Sequence, residues 1–258
     1  IPLLLTGGWY DSYTRATLEN YVGLSKRKKG PVKVIMGPWT HGGVTPEQPY
    51  AGNVSFGPQS ALESFQELHL RWFDKWLKGL DTSIDEMAPV NIFVMGGGDG
   101  HKDEDGRLFH GGYWRQEQEW PLSRTQYTNF YFHADGSLLS KEPPEEPLSH
   151  TTYQFDPKNP VPSVGGNVSS HNYLIPPTPD VQDISSIPAT ERRGTIMANG
   201  GYDQRERPDI FGATSPFLPL GSRPDVLVFQ TPPLQTDAEI TGPIEVNLFI
   251  SSSCADTD

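Results

Sequence analysis

Cysteine is nearly absent from this sequence. Its 258 residues include one cysteine, Cys254, which excludes an internal disulfide framework and any metal site built from several cysteines. No apolar run approaches the roughly 20 residues that a membrane-spanning helix needs. The N-terminus also lacks a basic stretch followed by an apolar signal core. A membrane is therefore not an expected partner.

Positive charge is also scarce. The chain has 20 Lys and Arg against 32 Asp and Glu, which gives a formal net charge of −12. Such a balance repels the phosphates of nucleic acids and anionic lipid surfaces. The basic cluster Lys26–Lys29 is short and is interpreted as a solvated helix end, where positive charge complements the helix dipole. Nucleic acid is therefore not an expected partner either.

An initiator methionine is missing, and the first residues, Ile1–Leu5, read as part of a buried strand. The last residues directly follow an alternating strand pattern at Ile244–Ile250. We therefore expect that the chain is cut from a longer one. At the C-terminal end, truncation, processing and completion of the fold by a second chain all remain open.

Residues 1–41 predict a strand, a helix and a second strand. Leu3–Leu5 and Val32–Met36 are short apolar runs that stop at glycines, which is typical of strands buried on both faces. Helical spacing between them is shown by Tyr13, Ala16, Thr17, Tyr21 and Leu24, and Ser12 is a candidate cap for the first turn. A right-handed crossover would make the two strands parallel neighbours.

Two candidate catalytic residues follow these strands. Asp11 lies five residues after Thr6, and His41 lies five residues after Met36. Parallel neighbours place both loops at one edge of the sheet, about 5 Å apart, so the carboxylate and the imidazole can meet. A carboxylate that orients an imidazole serves nucleophilic catalysis, and acid before base is the chain order of α/β-hydrolases.

The next segments predict a helix, a strand and a loop. Gln59–Gly79 predicts one amphipathic helix over the sheet, with His69 as a core or edge histidine. Met87–Met95 predicts a connecting strand that leads out of the first domain. Gly96–Gly112 mixes glycine with acidic residues and histidines, but it lacks the order of a calcium loop and the helical zinc pattern. We therefore prefer a surface loop or hairpin with a turn at Asp105–Gly106 over a metal site.

From Tyr113 onward the pattern becomes all-β, with frequent prolines. The predicted strands include Asn129–Phe132, Val226–Phe229 and Ile244–Ile250. The fold class is therefore α/β plus all-β, with a sandwich or jelly roll in the second part. The strands are too few to close an eight-stranded jelly roll, so we expect this part to be incomplete.

Several motifs together resemble the cocaine-esterase and X-prolyl dipeptidyl-peptidase family of serine hydrolases, over nearly the whole chain. They are Gly8-Trp9-Tyr10-Asp11, Gly37-Pro38-Trp39-Thr40-His41, Trp72-Phe73-Asp74 through Lys78-Gly79, His133-Ala134-Asp135-Gly136, Phe155-Asp156-Pro157 with Pro160-Val161-Pro162, Gly201-Tyr202-Asp203-Gln204-Arg205 and Thr241-Gly242-Pro243. The resemblance implies that Asp11 is the triad acid and His41 the triad histidine. It also implies the C-terminal part of an α/β-hydrolase domain over residues 1–115 and a jelly-roll domain over residues 116–258.

The resemblance implies hydrolysis of a small-molecule ester, amide or peptide through an acyl-enzyme, with neither cofactor nor metal. Acyl esters, α-amino-acid esters and prolyl dipeptides are the substrate classes of the family. Trp9 and Trp39 are candidates for lining the acyl pocket, and packing near the edge of the sheet is an equal alternative. A homo-oligomer and the cellular compartment are left open.

One departure from the family concerns the nucleophile. No Gly-x-Ser-x-Gly elbow occurs between residues 1 and 258. The family's serine precedes the acid, so the resemblance places it outside this sequence, and Ser12 lies at a helix-capping position that lacks the strained turn. We therefore expect the 258 residues alone to be inactive. The alternative from another class is a non-catalytic jelly-roll binding or assembly module.

Overall fold

The fold is given by a computed structural model, which describes residues 1–27, 29–42, 45–144, 150–167, 173–174, 193–195 and 199–255. Its strands and helices, in chain order, are β1 (Leu3–Tyr10), α1 (Thr14–Arg27), β2 (Val32–Thr40), β3 (Tyr50–Ala51), β4 (Val54–Ser55), α2 (Phe65–Phe73), β5 (Val90–Met95), β6 (Leu108–Phe109), β7 (Gly112–Glu117), β8 (Tyr131–Phe132), β9 (Leu138–Leu139), β10 (Tyr173–Leu174) and β11 (Arg193–Thr195). Short 3-10 turns lie at Thr45–Glu47, Pro58–Ser60 and Leu220–Ser222, and a π-helical turn at Asp74–Lys78 continues α2.

A mixed sheet with the strand order β1-β2-β5-β7 organises the first half of the chain. β2 runs parallel to both β1 and β5, and β7 is antiparallel to β5. Val34 and Met36 of β2 are fully buried, with Val90 of β5 beside them. Side chains buried along a central strand are typical of parallel sheets that are covered on both faces. The predicted unit of strand, crossover helix and parallel strand is confirmed.

Both strands of this unit extend further than predicted. β1 continues to Tyr10 and β2 to Thr40, so the residues interpreted as loops after Leu5 and Met36 belong to the sheet. A Cβ atom on Gly8 would lie 2.1 Å from the carbonyl oxygen of Trp39. This glycine therefore permits a close approach of the two backbones and does not end the strand.

Helix α1 covers one face of the sheet. Tyr21 is buried, and Leu18, Val22 and Leu24 pack partly buried against the same core cluster, which includes Val34. Tyr13, which shares the predicted apolar spacing, precedes the helix and is 59% exposed. The sequence periodicity therefore identified the helix correctly but assigned Tyr13 to the wrong environment.

Helix α2 begins later than predicted. Residues 58–60 form a separate 3-10 turn and Ala61 is extended. The helix starts after Ser64, whose side chain accepts the N–H of Glu67 at 3.1 Å, a capping interaction that restarts the chain as a helix. The π-helical turn that continues α2 ends as predicted at Gly79, which adopts a left-handed conformation. His69 is exposed and its ring packs on Phe65 at 4.3 Å, so it lies outside the core.

Strand β5 belongs to the core of the sheet, whereas the sequence predicted a connecting strand leading out of the domain. Val90, Asn91, Ile92 and Phe93 are buried. The ammonium group of Lys33 on β2 binds the segment that precedes this strand. It donates to the carbonyl oxygen of Asp85 at 2.8 Å and to that of Met87. Burial lowers the pKa of Lys33.

The glycine-rich loop after β5 contains the turn that was predicted at Asp105–Gly106. The N–H of Asp103 donates to Arg107 O and the N–H of Gly106 to Asp103 O, both at 2.9 Å. Gly106 has a positive φ of 78°.

In the part of the chain that the structure describes, no group of three His, Cys, Asp or Glu side chains could hold a metal ion. No described helix is long and apolar enough to cross a membrane.

Residues 116–258 show short pairings. β8 pairs with β9 and β10 with β11, while isolated bridges join Gly166 to Gly200 and Arg205 to Pro219. Within the described residues, the predicted strand at Val226–Phe229 is not formed. The alternating segment Ile244–Ile250 also lacks a partner there, and its apolar side chains are exposed. Alternation identifies a two-faced segment, but a strand also needs a neighbour for its N–H and C=O groups. The jelly roll stays a prediction, and so does the domain boundary at residues 115 and 116, which falls inside β7.

Glycines join this C-terminal region to the turn between β3 and β4. Gly201 N–H donates to Ala51 O at 3.1 Å, and Asn53 N–H donates to Gly201 O at 2.8 Å. A Cβ atom on Gly201 would lie 2.5 Å from Cγ2 of the buried Val54. We call the contact between residues 51–54 and 200–202 the glycine clasp. It attaches the C-terminal region beside the segment that follows His41.

Candidate active site

Asp11 and His41 meet at one edge of the sheet. Each is the first residue after its strand, and the last strand residues, Tyr10 and Thr40, are partners in the parallel ladder. Nδ1 of His41 lies 3.1 Å from Oδ2 of Asp11. The Asp11 side chain is 13% exposed and that of His41 is 31% exposed. The structure thus brings the predicted acid and base together, with the carboxylate inside and the imidazole nearer the surface.

The second oxygen of the carboxylate is held by the backbone. Oδ1 of Asp11 accepts the N–H of Tyr13 at 2.8 Å. The sequence predicted that Ser12 caps this turn, but the side chain of Asp11 does so. A carboxylate can accept the N–H of the residue two positions later and so close a local hydrogen-bonded turn. One oxygen is therefore fixed by the chain, and the other is directed at the imidazole.

Two threonines clamp the turns that carry this pair. The hydroxyl of Thr14 lies 2.5 Å from the carbonyl oxygens of both Gly8 and Asp11. The hydroxyl of Thr45 lies 2.7 Å from Thr40 O and 2.9 Å from Gly42 O. The sequence analysis missed both residues. Their signal was a hydroxyl three residues after the carbonyl that it can bond, a common local pattern of Ser and Thr.

The turn after His41 depends on a glycine. Gly42 has φ +140°, a conformation that residues with a side chain rarely adopt. The N–H of Thr45 donates to the carbonyl oxygen of Gly42 at 3.3 Å and joins the two ends of the turn. This turn keeps His41 at the end of its strand, beside Asp11.

Aromatic residues surround the pair unequally. Trp39 is 1% exposed, donates Nε1–H to Ser60 O at 3.1 Å and borders a small cavity beside Asp11. Trp9 faces the core, since its Nε1–H donates to Phe93 O at 2.8 Å and its ring packs on Trp120 at 6.3 Å. Of the two tryptophans predicted to line a pocket, Trp39 borders the cavity, whereas Trp9 has the packing role that the sequence left as the alternative.

The cavity beside Asp11 measures about 70 Å³ and is also lined by Gly7, Gly8, Thr45 and Phe65. Pockets for small molecules usually measure about 300 Å³ or more. The described residues around Asp11 therefore supply one wall and the acid–base pair, but not a complete substrate pocket.

The arrangement can move a proton at a fixed position. A carboxylate on Nδ1 fixes the tautomer and orientation of an imidazole and stabilises its protonated form. Nε2 of His41 is then the nitrogen that would exchange a proton with a third group. This combination is what general base catalysis at a hydroxyl nucleophile requires.

A second Asp–His pair provides a contrast. His101 Nδ1 lies 2.5 Å from Asp99 Oδ1, but the two residues are neighbours in one loop and their side chains are 54% and 75% exposed. The amide of His101, followed by its ring, lowers the pKa of the Asp99 carboxyl. This pair is local and solvated, whereas Asp11 and His41 are joined across two strands at the edge of a buried sheet.

The comparisons with known proteins agree with the motifs. Residues 82–258 match the family described as the X-Pro dipeptidyl-peptidase C-terminal non-catalytic domain, and residues 1–43 match the X-Pro dipeptidyl-peptidase (S15) family. The chain is 29% identical to the cocaine esterase of Rhodococcus sp. strain MB1 Bresler over 266 aligned residues, which cover 100% of this chain.

The sequence identity to solved structures is lower. A CocE/NonD family hydrolase from Staphylococcus aureus is 16% identical with a TM-score of 0.36, covering 54% of this chain and 21% of that one. An aminopeptidase from a marine sediment Thaumarchaeota archaeon is 21% identical with a TM-score of 0.40, covering 55% of this chain and 21% of that one. The chain spans 37% of the length of the Rhodococcus esterase.

Proposed function

The chain belongs to the cocaine-esterase and X-prolyl dipeptidyl-peptidase family of CocE/NonD hydrolases, and on this premise we propose that Asp11 and His41 are the acid and base of a serine hydrolase. The observation that carries the proposal is the contact of 3.1 Å between His41 Nδ1 and Asp11 Oδ2. The support for the proposal is geometric. Asp11 and His41 directly follow Tyr10 and Thr40, which are paired in the parallel ladder of β1 and β2.

The proposed reaction is acyl transfer to water. A serine outside this sequence attacks the carbonyl of an ester or amide and gives its proton to Nε2 of His41. His41 then returns that proton to the leaving alcohol or amine, which produces the acyl-enzyme. In the second half His41 takes a proton from water as the water oxygen attacks the acyl carbonyl. The bond between the acyl carbon and the serine oxygen then breaks, His41 returns the proton to that oxygen, and the acid is released. Asp11 stabilises the imidazolium that forms in each half.

The proposed substrate is a small ester, amide or peptide. Trp39 is proposed to form part of the wall beside the acyl group, because it is the tryptophan that borders the cavity next to Asp11. The choice among acyl esters, α-amino-acid esters and prolyl dipeptides depends on the remaining walls. The cavity of about 70 Å³ formed by the described residues is too small to make that selection.

Residues 82–258 are proposed to support the catalytic part without taking part in the chemistry, in line with the family that they match. We propose that residues 116–258 form a jelly roll, in which Ile244–Ile250 pairs with another strand of the complete protein. The alternation of this segment supports the proposal. In the complete protein, its backbone amides should exchange slowly with deuterium, and fast exchange throughout the segment would contradict a paired strand.

The catalytic proposal is tested by His41→Ala in the complete protein. Turnover of an ester substrate should fall at least about a thousandfold, and labelling of the nucleophile by a fluorophosphonate should slow in parallel. The matched control is His101→Ala, which removes the histidine of the solvated pair and should leave both rates unchanged. Unchanged turnover in His41→Ala would overturn the proposal. Absence of fluorophosphonate labelling in the wild type, together with retention of a glycan, would favour the alternative of a binding module.

A further inference from the structure

Tyr13 places an aromatic ring beside the proposed base. The ring centroids of Tyr13 and His41 are 5.4 Å apart and the planes are inclined by 54°. The Tyr13 side chain is 59% exposed, so burial in the core does not account for its position. The backbone N–H of the same residue donates to Oδ1 of Asp11 at 2.8 Å. Tyr13 therefore contacts both members of the pair, one through its amide and the other through its ring.

Three ionisable side chains on α1 and in the turn after His41 have partners of their own. On α1, Arg15 pairs with Glu19 at 2.7 Å. In the turn after His41, the carboxylate of Glu47 accepts the N–H of Phe65 at 2.7 Å. The contacts of the imidazole include a charged group, Asp11, and an aromatic ring, Tyr13.

We propose that Tyr13 is a positioning residue for His41, whose ring stabilises the protonated imidazole and restricts its orientation. The inference rests on the proposed function, in which His41 becomes an imidazolium each time it takes a proton. An aromatic ring carries negative charge on its face and attracts a cation within about 6 Å of its centroid. The ring centroids of Tyr13 and His41, 5.4 Å apart, lie within this range of distance. The exposure of Tyr13 keeps the interaction modest.

The test compares Tyr13→Leu with Tyr13→Phe. Leucine retains apolar bulk but lacks the aromatic face, whereas phenylalanine keeps the face and removes the hydroxyl. Because the side chain is exposed, neither change removes a core contact. The pH at the acid limb of kcat/KM is read in the complete protein.

Tyr13→Leu should shift the acid limb of kcat/KM downward by about half a pH unit, while Tyr13→Phe stays close to the wild type. The control variant His101→Ala should leave the acid limb where it lies in the wild type. An unchanged acid limb in Tyr13→Leu would overturn the inference, and so would an equal shift of the acid limb in Tyr13→Phe. Either result would leave the proposed function intact if His41→Ala still abolished turnover. Turnover that survives His41→Ala would instead remove the proposed function itself.

Discussion

Tyr10 and Thr40 are partners in a parallel ladder, and this pairing sets the distance between the two side chains that follow them. Parallel strands lie about 4.8 Å apart, which is close enough for a carboxylate and an imidazole in equivalent positions to form a hydrogen bond. A slip of one residue would turn one of the two side chains to the opposite face of the sheet. The ladder pairs Gly8 with Gly37 but Tyr10 with Thr40, so β2 has one residue more than β1 in this interval. The contact between Asp11 and His41 is therefore a consequence of the strand register that follows this irregularity.

Replacing the Asp11 carboxylate by an amide separates its effect on His41 from its hydrogen bond with the Tyr13 N–H. In the complete protein, Asp11→Asn should lower kcat by about a thousandfold to ten-thousandfold, because an amide cannot stabilise the imidazolium as a carboxylate does. The amide oxygen can still accept the Tyr13 N–H, so the unfolding midpoint should change little. Steady-state kinetics and chemical denaturation measure the two effects. Asp99→Asn, in the solvated pair, is the control, and a kcat equal to the wild type in Asp11→Asn would refute the role.

The close approach of β1 and β2 predicts opposite effects for two glycines. Gly8→Ala should lower the free energy of unfolding by about 1–3 kcal/mol or more, because its Cβ would lie 2.1 Å from Trp39 O. Gly23 lies in α1 with open space around a Cβ, so Gly23→Ala should raise stability by up to about 1 kcal/mol through helix propensity. Urea denaturation of both variants checks the signs. A neutral Gly8→Ala would show that the strands can move apart without cost.

The glycine clasp predicts that a methyl group on Gly201 loosens the C-terminal region. Gly201→Ala should cost about 1–3 kcal/mol, since the new Cβ would lie 2.5 Å from Val54 Cγ2. Gly97→Ala is the matched control, because neither glycine has a positive φ and a Cβ placed on Gly97 would meet nothing within 4 Å. The control should stay within about 0.5 kcal/mol of the wild type. Equal stabilities of the two variants in chemical denaturation would argue against a tight clasp.

The buried Lys33 predicts a pH dependence of stability. Burial lowers its pKa below the usual 10.5, and the Asp85 carboxylate opposes part of this change. The folded protein therefore releases this proton at lower pH than the unfolded chain does. The resulting contribution is fully present above pH 10.5 and is lost as the pH falls through the lowered pKa.

The measurement compares the wild type with Lys33→Met, which has a similar length but no charge. The difference in unfolding free energy should move in favour of the wild type over the alkaline range up to pH 10.5. Because buried tyrosines titrate in both proteins, their effects cancel in the difference. A constant difference across this range would contradict a lowered pKa of Lys33.

The isolated 258 residues should not hydrolyse an ester, because they contain no Gly-x-Ser-x-Gly elbow to supply the nucleophile. The purified chain should release product no faster than buffer in a chromogenic ester assay. Activity that disappears in His41→Ala would contradict this prediction and show that another group of the chain can act as the nucleophile.

The sequence predicted the part of the site that depends on local order. Apolar runs separated by a helical pattern imply parallel neighbouring strands, and a polar residue after each strand then lies on a shared edge. That argument reached Asp11 and His41. It could not reach Tyr13, whose ring was assigned to the apolar face of a helix because periodicity does not distinguish a core contact from a contact with an imidazole.

Sequence alone determined the strand–helix–strand unit, the order of acid and base, and the family motifs, because these are properties of adjacent residues. Tertiary structure decided the 3.1 Å contact and the different positions of Trp9 and Trp39. It also showed that Gly8 permits close packing instead of ending a strand. The physical reason is that a local pattern specifies which face a side chain takes, whereas the distance between residues 30 positions apart depends on the register of the strands that carry them.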